Sequence, residues 1–159
     1  MIRRATIEDY EAVWEIFHLI VQTEDTFIFS ANTRKEDLQE HWFASYMHTN
    51  VYEIKKKILG TYIVKPNQVS LRNHIANASY MVHPNAQGKG IGKKLCEHSL
   101  NLAKDLGFIA MQFNMVVCTN ISAIALWKKL GFEIIGTTPK GFKHKKIGLI
   151  DTYIMYKTL

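Results

Sequence analysis

A glycine-rich segment at residues 87–92, Gln-Gly-Lys-Gly-Ile-Gly, constrains this chain more than any other feature of its sequence. A strand-like run at 74–82 precedes it, and apolar residues from Ile91 to Leu106 repeat at helical spacing after it. Glycines allow a tight turn and let a ligand approach the backbone. The free amides and the dipole at a helix start favour an anion there. The segment therefore predicts a diphosphate site, although a turn that binds nothing would have a similar composition.

The charge of the chain agrees with an anionic ligand but does not identify it. Lys plus Arg number 20 and Asp plus Glu number 14, which gives a net charge of +6. Nucleic acid, an acidic lipid surface, a polyphosphate cofactor or simply a soluble surface would each account for this excess. No basic stripe is interleaved with aromatic residues, so we expect no nucleic-acid partner. The basic run at 140–146 is compatible with contact with an acidic partner, but we interpret it as a solvated loop between the last two strands.

The cysteines indicate a reducing compartment, and the hydropathy of the chain indicates no membrane span. Cys96 and Cys118 are the only cysteines, and they lack metal-ligand spacing. We therefore expect no metal site and two free thiols in the cytoplasm. No apolar run approaches the length that crosses a bilayer, so no membrane partner is expected.

Periodicity along the rest of the chain predicts one α/β domain over residues 1–159, with the element order β-α-α-β-β-β-α-β-α-β-β. Thr33 is expected to cap the second helix, with Glu36 as its capping-box acid, and Gly107 to end the third. The predicted strands cover residues 2–5, 51–55, 58–64, 74–82, 109–118, 132–138 and 152–157.

Two motifs in the second half of the chain resemble those of the GNAT acetyltransferases. Residues 80–92, which end in the glycine segment, resemble motif A, whose core is Gln/Arg-x-x-Gly-x-Gly/Ala. Residues 120–132 begin Asn-Ile-Ser-Ala and end Leu-Gly-Phe, and they resemble motif B, usually Asn-x-x-Ala-x-x-Leu-Tyr-x-x-x-Gly-Phe. The motifs occur in the family's order with the expected elements between them, which makes the glycine segment a strong signal.

The resemblance implies the acyl-CoA N-acyltransferase fold, an α/β fold with a mixed, mostly antiparallel sheet of about seven strands and helices on both faces. It also implies transfer of an acetyl group from acetyl-CoA to an amine by direct nucleophilic attack. In this family the strand before motif A splays from its neighbour and binds the pantetheine arm, and motif A wraps the pyrophosphate. The implied cofactor-binding residues are Met81, Val82, Gln87, Gly88, Lys89, Gly90, Ile91, Gly92, Lys93, Asn120, Ala123 and Trp127.

The catalytic acid and base are less well defined. Position 127 is Trp where many family members have a Tyr proposed to protonate the leaving thiolate, and an indole has no useful acid. The candidates for a general base are Glu24 and Asp25, in the loop between the first two helices, and His74. Solvated surface residues would look the same. Asn120 is likewise expected to act as a helix N-cap, a cofactor contact or both.

The acceptor half offers fewer signals. Asn114 interrupts an apolar strand, so its side chain is expected to be buried and either to stitch the sheet or to face the substrate. Asp25 lies in the loop between the first two helices, which borders the acceptor site in this family. The sequences Lys-Pro-Asn-Gln at 65–68 and Phe-Asn at 113–114 resemble a GNAT subgroup that includes the yeast enzyme for proline analogues such as azetidine carboxylate, together with bacterial relatives. This resemblance implies a small amino or imino acid as acceptor.

Two other functions stay open at this point. A protein or peptide N-acetyltransferase would have a wide groove across the strand ends, whereas a pocket walled by the first interhelical loop would favour a small molecule. A non-catalytic acyl-CoA sensor would bind acetyl-CoA and transfer nothing. The chain is expected to act as a monomer or a homodimer.

Overall fold

Seven strands form one sheet in the computed structural model, which describes residues 1–159. The strands are β1 (Ile2–Arg4), β2 (His48–Ile54), β3 (Lys57–Pro66), β4 (Ile75–Val82), β5 (Ala110–Val117), β6 (Glu133–His144) and β7 (Gly148–Thr158). Their spatial order is β1-β2-β3-β4-β5-β7-β6, and every neighbouring pair is antiparallel except β4 and β5. The predicted mixed, mostly antiparallel sheet is therefore confirmed.

Four helices cover the two faces of this sheet. They are α1 (Tyr10–Val21), α2 (Leu38–Trp42), α3 (Ile91–Asp105) and α4 (Ile121–Lys129). Because side chains alternate along a strand, β3 contributes to two cores. Ile63 packs with α1 and α2, while Tyr62 and Val64 face the core that contains α3 and α4. None of the helices is both long and apolar enough to span a membrane.

The last two strands extend well past their predicted ends. β6 continues to His144 and β7 begins at Gly148, whereas the sequence pattern placed these limits at 138 and 152. Most of the basic run at 140–146 therefore lies in a strand, and its interpretation as a loop was wrong. β6 is an edge strand with most positions exposed, so no apolar alternation marks it.

The start of the second helical segment is displaced by one residue from its prediction. The Asp37 carboxylate accepts hydrogen bonds from the backbone N–H of Arg34 at 3.1 Å and from its guanidinium at 2.9 Å. The Thr33 hydroxyl instead donates to the Ser30 carbonyl at 2.7 Å. The cap predicted at Thr33 with Glu36 was therefore wrong, because Arg34 and Asp37 form the reciprocal pair.

Candidate active site

Strand β4 has one fully paired edge and one edge that is mostly open. On the β3 side, pairing continues along the strand to Val82. On the β5 side, only Ile75 and Ala76 are paired. The two parallel strands therefore separate, and the backbone from 77 to 82 presents an edge to which an extended ligand can bond as a strand would.

Asn77 closes the narrow end of this gap. Its Nδ2 donates to the carbonyl of Gln112 on β5 at 2.9 Å, just beyond the last backbone pair. At the wide end, the Met81 side chain is buried in the core formed with α1 and α2. Met81 can therefore contact a ligand in the gap through its backbone but not through its side chain.

Asn114 differs from its prediction because it is exposed. β5 has an irregularity between Phe113 and Val116, and this bulge turns Asn114 out of the sheet. Its Nδ2 donates to Oδ1 of Asn67 at 2.6 Å, beyond the end of β3. Of the two roles expected from sequence, it performs the first by linking β5 to the chain after β3, and it also lines the cavity described below.

Two glycines shape the segment between β4 and α3. Gly88 and Gly90 both have a φ of +74°, in the left-handed region that other residues rarely adopt. The first backbone N–H to be paired at the helix start is that of Lys94, which donates to the Gly90 carbonyl at 3.2 Å. The N–H groups of residues 88–93 donate to no protein acceptor. These consecutive amides at the start of a long helix are available to an anion.

Gly92 lies in the first turn of α3, where alanine would be more stable by about 0.5–1 kcal/mol. A Cβ at this position would meet the side chains of Leu126 and Val82 only at 3.8 and 4.0 Å, which is ordinary contact. The packing of the protein itself does not require a glycine here. The missing side chain leaves the helix start accessible, and the exposed Lys89 and Lys93 add positive charge beside it.

The start of α4 faces the same gap. Asn120 is the N-cap of α4, and its Oδ1 accepts the N–H of Ala123 at 3.4 Å. Trp127 is buried, with its ring centroid 5.1 Å from those of Tyr80 and Phe113. Asn120, Ala123 and Trp127 all line the cavity, so the N-cap role of Asn120 is compatible with a ligand contact.

A cavity of about 430 Å³ lies between the open strand gap and the loop that joins α1 to α2. Residues 26–29 of this loop form one wall, and Phe27 and Phe29 give that wall an aromatic character. His41 from α2 and Lys65 from β3 also line the cavity. It is thus lined by elements from both halves of the chain, with motif B at one end.

Glu24 holds the wall of this cavity without lining it. Its carboxylate accepts the backbone N–H of Ala31 at 2.9 Å across the loop. Its own carbonyl accepts the N–H of Lys145 in the β6–β7 turn at 3.2 Å. Gln22 adds a third tie by donating to the Ala31 carbonyl at 2.8 Å. The side chain therefore has a structural partner, and it lies outside the set of residues that line the cavity.

The other two candidates for a base also lie outside the cavity lining. His74 is exposed and directly precedes β4, at the end where β4 and β5 are joined rather than separated. Asp25 accepts a hydrogen bond from the Thr23 hydroxyl. The cavity lining thus brings Asn114 together with Asn120, Ala123 and Trp127 of motif B, and it leaves out Glu24, Asp25 and His74. Motif A adjoins motif B beside the cavity, since a Cβ on Gly92 would contact Leu126 at 3.8 Å.

Three side chains in the cavity lining can ionise, namely His41, Lys65 and Tyr80. Burial raises the pKa of Tyr80 well above its ordinary value, and its hydroxyl lies 2.7 Å from Ser99 Oγ. No Asp or Glu lines the cavity. Sequence reasoning missed His41 and Lys65 as site residues. Lys65 belongs to the sequence Lys-Pro-Asn-Gln that resembles a GNAT subgroup, but no feature of the sequence indicated His41.

Comparison with known proteins identifies the family. Residues 9–132 match the Acetyltransferase (GNAT) family. This match covers well over half of the chain, and the splayed strands and glycine segment agree with it. The chain belongs to the GNAT acetyltransferase family.

Individual relatives agree with this assignment. The structure of a GCN5-related N-acetyltransferase from Kribbella flavida has a TM-score of 0.95 and 33% identity, covering 100% of this chain and 97% of that one. N-acetyltransferase aca1 of Schizosaccharomyces pombe is 37% identical over 101 residues, which is 63% of this chain and 48% of the relative. The chain spans less than half the length of the curated relatives it matches.

A third protein has been solved with acetyl-CoA. It is a GNAT superfamily phosphinothricin acetyltransferase from Sinorhizobium meliloti, with a TM-score of 0.90 and 22% identity over 100% of this chain and 88% of that one. At this identity the likeness concerns the fold alone.

Proposed function

We propose that this chain is an acetyl-CoA-dependent N-acetyltransferase that acts on the amine of a small molecule, as a single domain over residues 1–159. The observation that carries the proposal is the continuity of three features. Unpaired amides at the start of α3 lead to the open edge of β4, which leads to the cavity beneath the α1–α2 loop. This is the arrangement that a long thioester with a diphosphate at one end requires.

The residues on the cofactor side fit acetyl-CoA. Residues 87–92 with Lys93 would hold the pyrophosphate through backbone amides and charge. The backbone of Met81 and Val82 would bond the pantetheine arm along the free strand edge. The N-cap Asn120 would border the thioester end, together with Ala123 and Trp127 from α4. Acetyl-CoA would supply the acetyl group as a thioester with a thiolate leaving group.

The charge of the cavity favours an acceptor that carries a carboxylate. Lys65 is the one Lys or Arg in the lining, and it makes no ion pair within the protein. It lies directly opposite Asn77 in the β3–β4 register. Since no Asp or Glu faces it, a purely cationic acceptor such as a polyamine would meet only repulsion. We therefore favour an amino or imino acid, which also agrees with the subgroup resemblance.

Direct attack on the thioester is favoured over a covalent enzyme intermediate. Burial raises the pKa of the Cys96 thiol to about 12, so this side chain is not a thiolate near neutral pH. Cys118 does not line the cavity. No cysteine is therefore placed to take up the acetyl group. Trp127 cannot donate a proton, so proximity of the two substrates is expected to supply much of the rate.

A peptide amine is the second candidate acceptor. A further depression, lined by Tyr46, Gln68, Val69 and neighbouring residues, shares Lys65 and Asn67 with the main cavity. An acceptor longer than an amino acid could extend into it. We place the small molecule first because residues 26–29 wall the main cavity rather than leaving a groove. A cytoplasmic location, with no nucleic acid or membrane as partner, and a monomeric or homodimeric state belong to the same proposal.

Thiol release from acetyl-CoA tests the proposal across a panel of amino and imino acids, polyamines, aminoglycosides and short peptides. We expect release with one or more amines that carry a carboxylate, and a product heavier by one acetyl group. Release with peptides alone would select the second candidate. Binding of acetyl-CoA without release for any amine would indicate a sensor and overturn the proposal.

A further inference from the structure

We propose that His41 is the general base that takes the proton from the acceptor amine. This inference rests on the proposed function, because it assigns a step of that reaction to a named side chain. None of the positions that the sequence suggested for the base lines the cavity, whereas His41 does.

The position of His41 is well defined because α2 is anchored to the sheet at the next residue. Nε1 of the buried Trp42 donates to Thr61 Oγ1 on β3 at 2.9 Å. The Trp42 carbonyl accepts a hydrogen bond from the Thr49 hydroxyl on β2. These two bonds fix the end of α2 over the sheet, so His41 reaches the cavity from a rigid element rather than from a loop.

The imidazole of His41 is held by an aromatic contact and has free nitrogens. Its ring centroid lies 4.5 Å from that of Phe29, which itself packs 5.1 Å from the ring of Phe17 on α1. Neither ring nitrogen makes a hydrogen bond or an ion pair within the protein. A half-buried ring with oriented but unpartnered nitrogens can accept a proton from a bound ligand.

No other side chain in the cavity lining can accept a proton near neutral pH. Lys65 is a cation there, and the Tyr80 hydroxyl is a neutral phenol engaged with Ser99. Histidine is the residue whose ordinary pKa lies in this range. Glu24 is outside the lining, and its carboxylate already accepts the Ala31 N–H.

The charged groups around His41 come from two elements. Asp37 and Glu40 belong to its own helical segment, and Asp37 is paired with Arg34 at 2.9 Å. Lys65 faces the same cavity from β3. The loop residues 26–29 that pack beside the ring are uncharged. The only charged group in the cavity lining beside this histidine is therefore Lys65, which would hold a carboxylate when an amino acid is bound.

The proposed step transfers protons in a balanced way. The protonated amine gives one proton to an imidazole nitrogen and becomes a free amine. Its nitrogen then forms a bond to the acetyl carbon while the carbon–sulfur bond breaks, and sulfur leaves with the electron pair. The second proton on the nitrogen passes to the thiolate, and the imidazolium releases the first proton to water. One proton is released to solvent in each turnover.

The pH dependence of kcat/KM in His41→Gln tests this role, with His18→Gln as the matched control. His18 also packs on an aromatic ring, 5.1 Å from Trp14, but it is exposed and does not line the cavity. We expect His41→Gln to lower kcat/KM near neutral pH by about 100-fold, the usual scale of general base catalysis. Its activity should then rise about tenfold per pH unit towards the pKa of the amine, because only free amine reacts. The wild type and His18→Gln should stay nearly flat over that range.

Three further measurements separate catalysis from folding and binding. Stabilisation by acetyl-CoA in thermal melts should be the same in His41→Gln as in the wild type. In NMR spectra of the wild type without acetyl-CoA, the acceptor amino acid should shift the ring resonances of His41 and not those of His18. Added imidazole should restore part of the activity of His41→Ala.

A wrong assignment of the base can be distinguished from a failure of the proposed function. If His41→Gln keeps kcat/KM within about threefold of the wild type near neutral pH, below the scale of base catalysis, the assignment of the base is overturned and the transferase proposal stands. The same holds if its pH profile matches that of the wild type. If the wild type acetylates no amine at all, both proposals fall together.

Discussion

The start of α3 and the cavity beneath the α1–α2 loop present different kinds of chemical group to a ligand. The first presents backbone N–H groups from consecutive residues, 88–93, whose conformation depends on two left-handed glycines. The second presents side chains from distant positions, among them His41, Lys65 and Asn114. A backbone site of consecutive residues leaves a local motif in the sequence, whereas a side-chain site is assembled only by the fold. This difference explains why the sequence predicts particular residues for the cofactor side and does not single out His41 on the acceptor side.

The largest expected effect comes from Gly90→Glu. The substitution forces a side chain into the left-handed region at φ +74° and puts a negative charge among the unpaired amides of the proposed anion site. We expect acetyl-CoA affinity to fall by more than about 100-fold, from lost amide contacts and like-charge repulsion. The measurement is stabilisation by acetyl-CoA in thermal melts.

Gly107→Glu provides the matched control for this change. Gly107 has a φ of +86° and open space around its Cβ position, so the same substitution brings a similar backbone strain. It follows the other end of α3, away from the anion site. Gly107→Glu should lower the melting temperature and keep the response to acetyl-CoA. An equal loss of response in both variants would show that the effect is only one of folding.

On the acceptor side, Lys65→Met should have a smaller effect that is confined to the acceptor. Removing one ion pair with a carboxylate should raise the acceptor KM by about tenfold and leave kcat and the acetyl-CoA KM nearly unchanged. Steady-state kinetics with the best amino acid of the panel measure this change. Lys57→Met, at the exposed start of β3, is the control. A Lys65→Met enzyme with an unchanged acceptor KM would remove the electrostatic argument for a carboxylate.

Glu24→Ala should loosen the cavity wall without removing a reacting group. Loss of the bond to the Ala31 N–H should cost about 1 kcal/mol of stability and raise the acceptor KM by roughly threefold. Thermal melts and initial rates measure both, with Asp25→Ala as the neighbouring control. If kcat at saturating acceptor fell by about 100-fold, Glu24 would act as the base itself, contrary to the position found for it.

The smallest effect on catalysis is expected for Trp127→Phe. The indole is buried against Tyr80 and Phe113, so the smaller ring should lower stability by roughly 1–3 kcal/mol through lost packing. Activity at a temperature where the variant is folded should stay within a few-fold of the wild type. A loss of about 100-fold in kcat would show that the indole N–H has a role in the reaction.

Much of the fold followed from hydrophobic periodicity, and the exceptions have physical causes. Strands with a buried face, such as β4, were predicted to within a residue or two. β6 was cut short because an exposed edge strand with Lys and Gly at 140–141 has no buried face to mark it. The bulge in β5 left no trace in the sequence, and it turned Asn114 from an expected buried position to an exposed one.

The residues of the candidate site fall into two groups, those in consecutive motifs and those brought together by packing. The residues from Gln87 to Lys93 and from Asn120 to Trp127 were assigned because each set is consecutive along the chain. The wall residues 26–29 and His41 reach the cavity through packing of the α1–α2 loop on the sheet. This packing depends on hydrogen bonds such as that from the Ala31 N–H to the Glu24 carboxylate. Such contacts join residues that no short motif connects, so the base could not be chosen from the sequence.

The response of the melting temperature to acetyl-CoA tests the central claim most directly, with S-acetylpantetheine as the comparison. Both compounds carry the thioester, but only acetyl-CoA carries the pyrophosphate that the amides of α3 would hold. At a concentration near 100 times the dissociation constant, acetyl-CoA should stabilise the protein by about 2.7 kcal/mol and raise the melting temperature by roughly 5–10 °C. S-acetylpantetheine at that concentration should give a much smaller shift. An unchanged melting temperature with saturating acetyl-CoA would contradict the account.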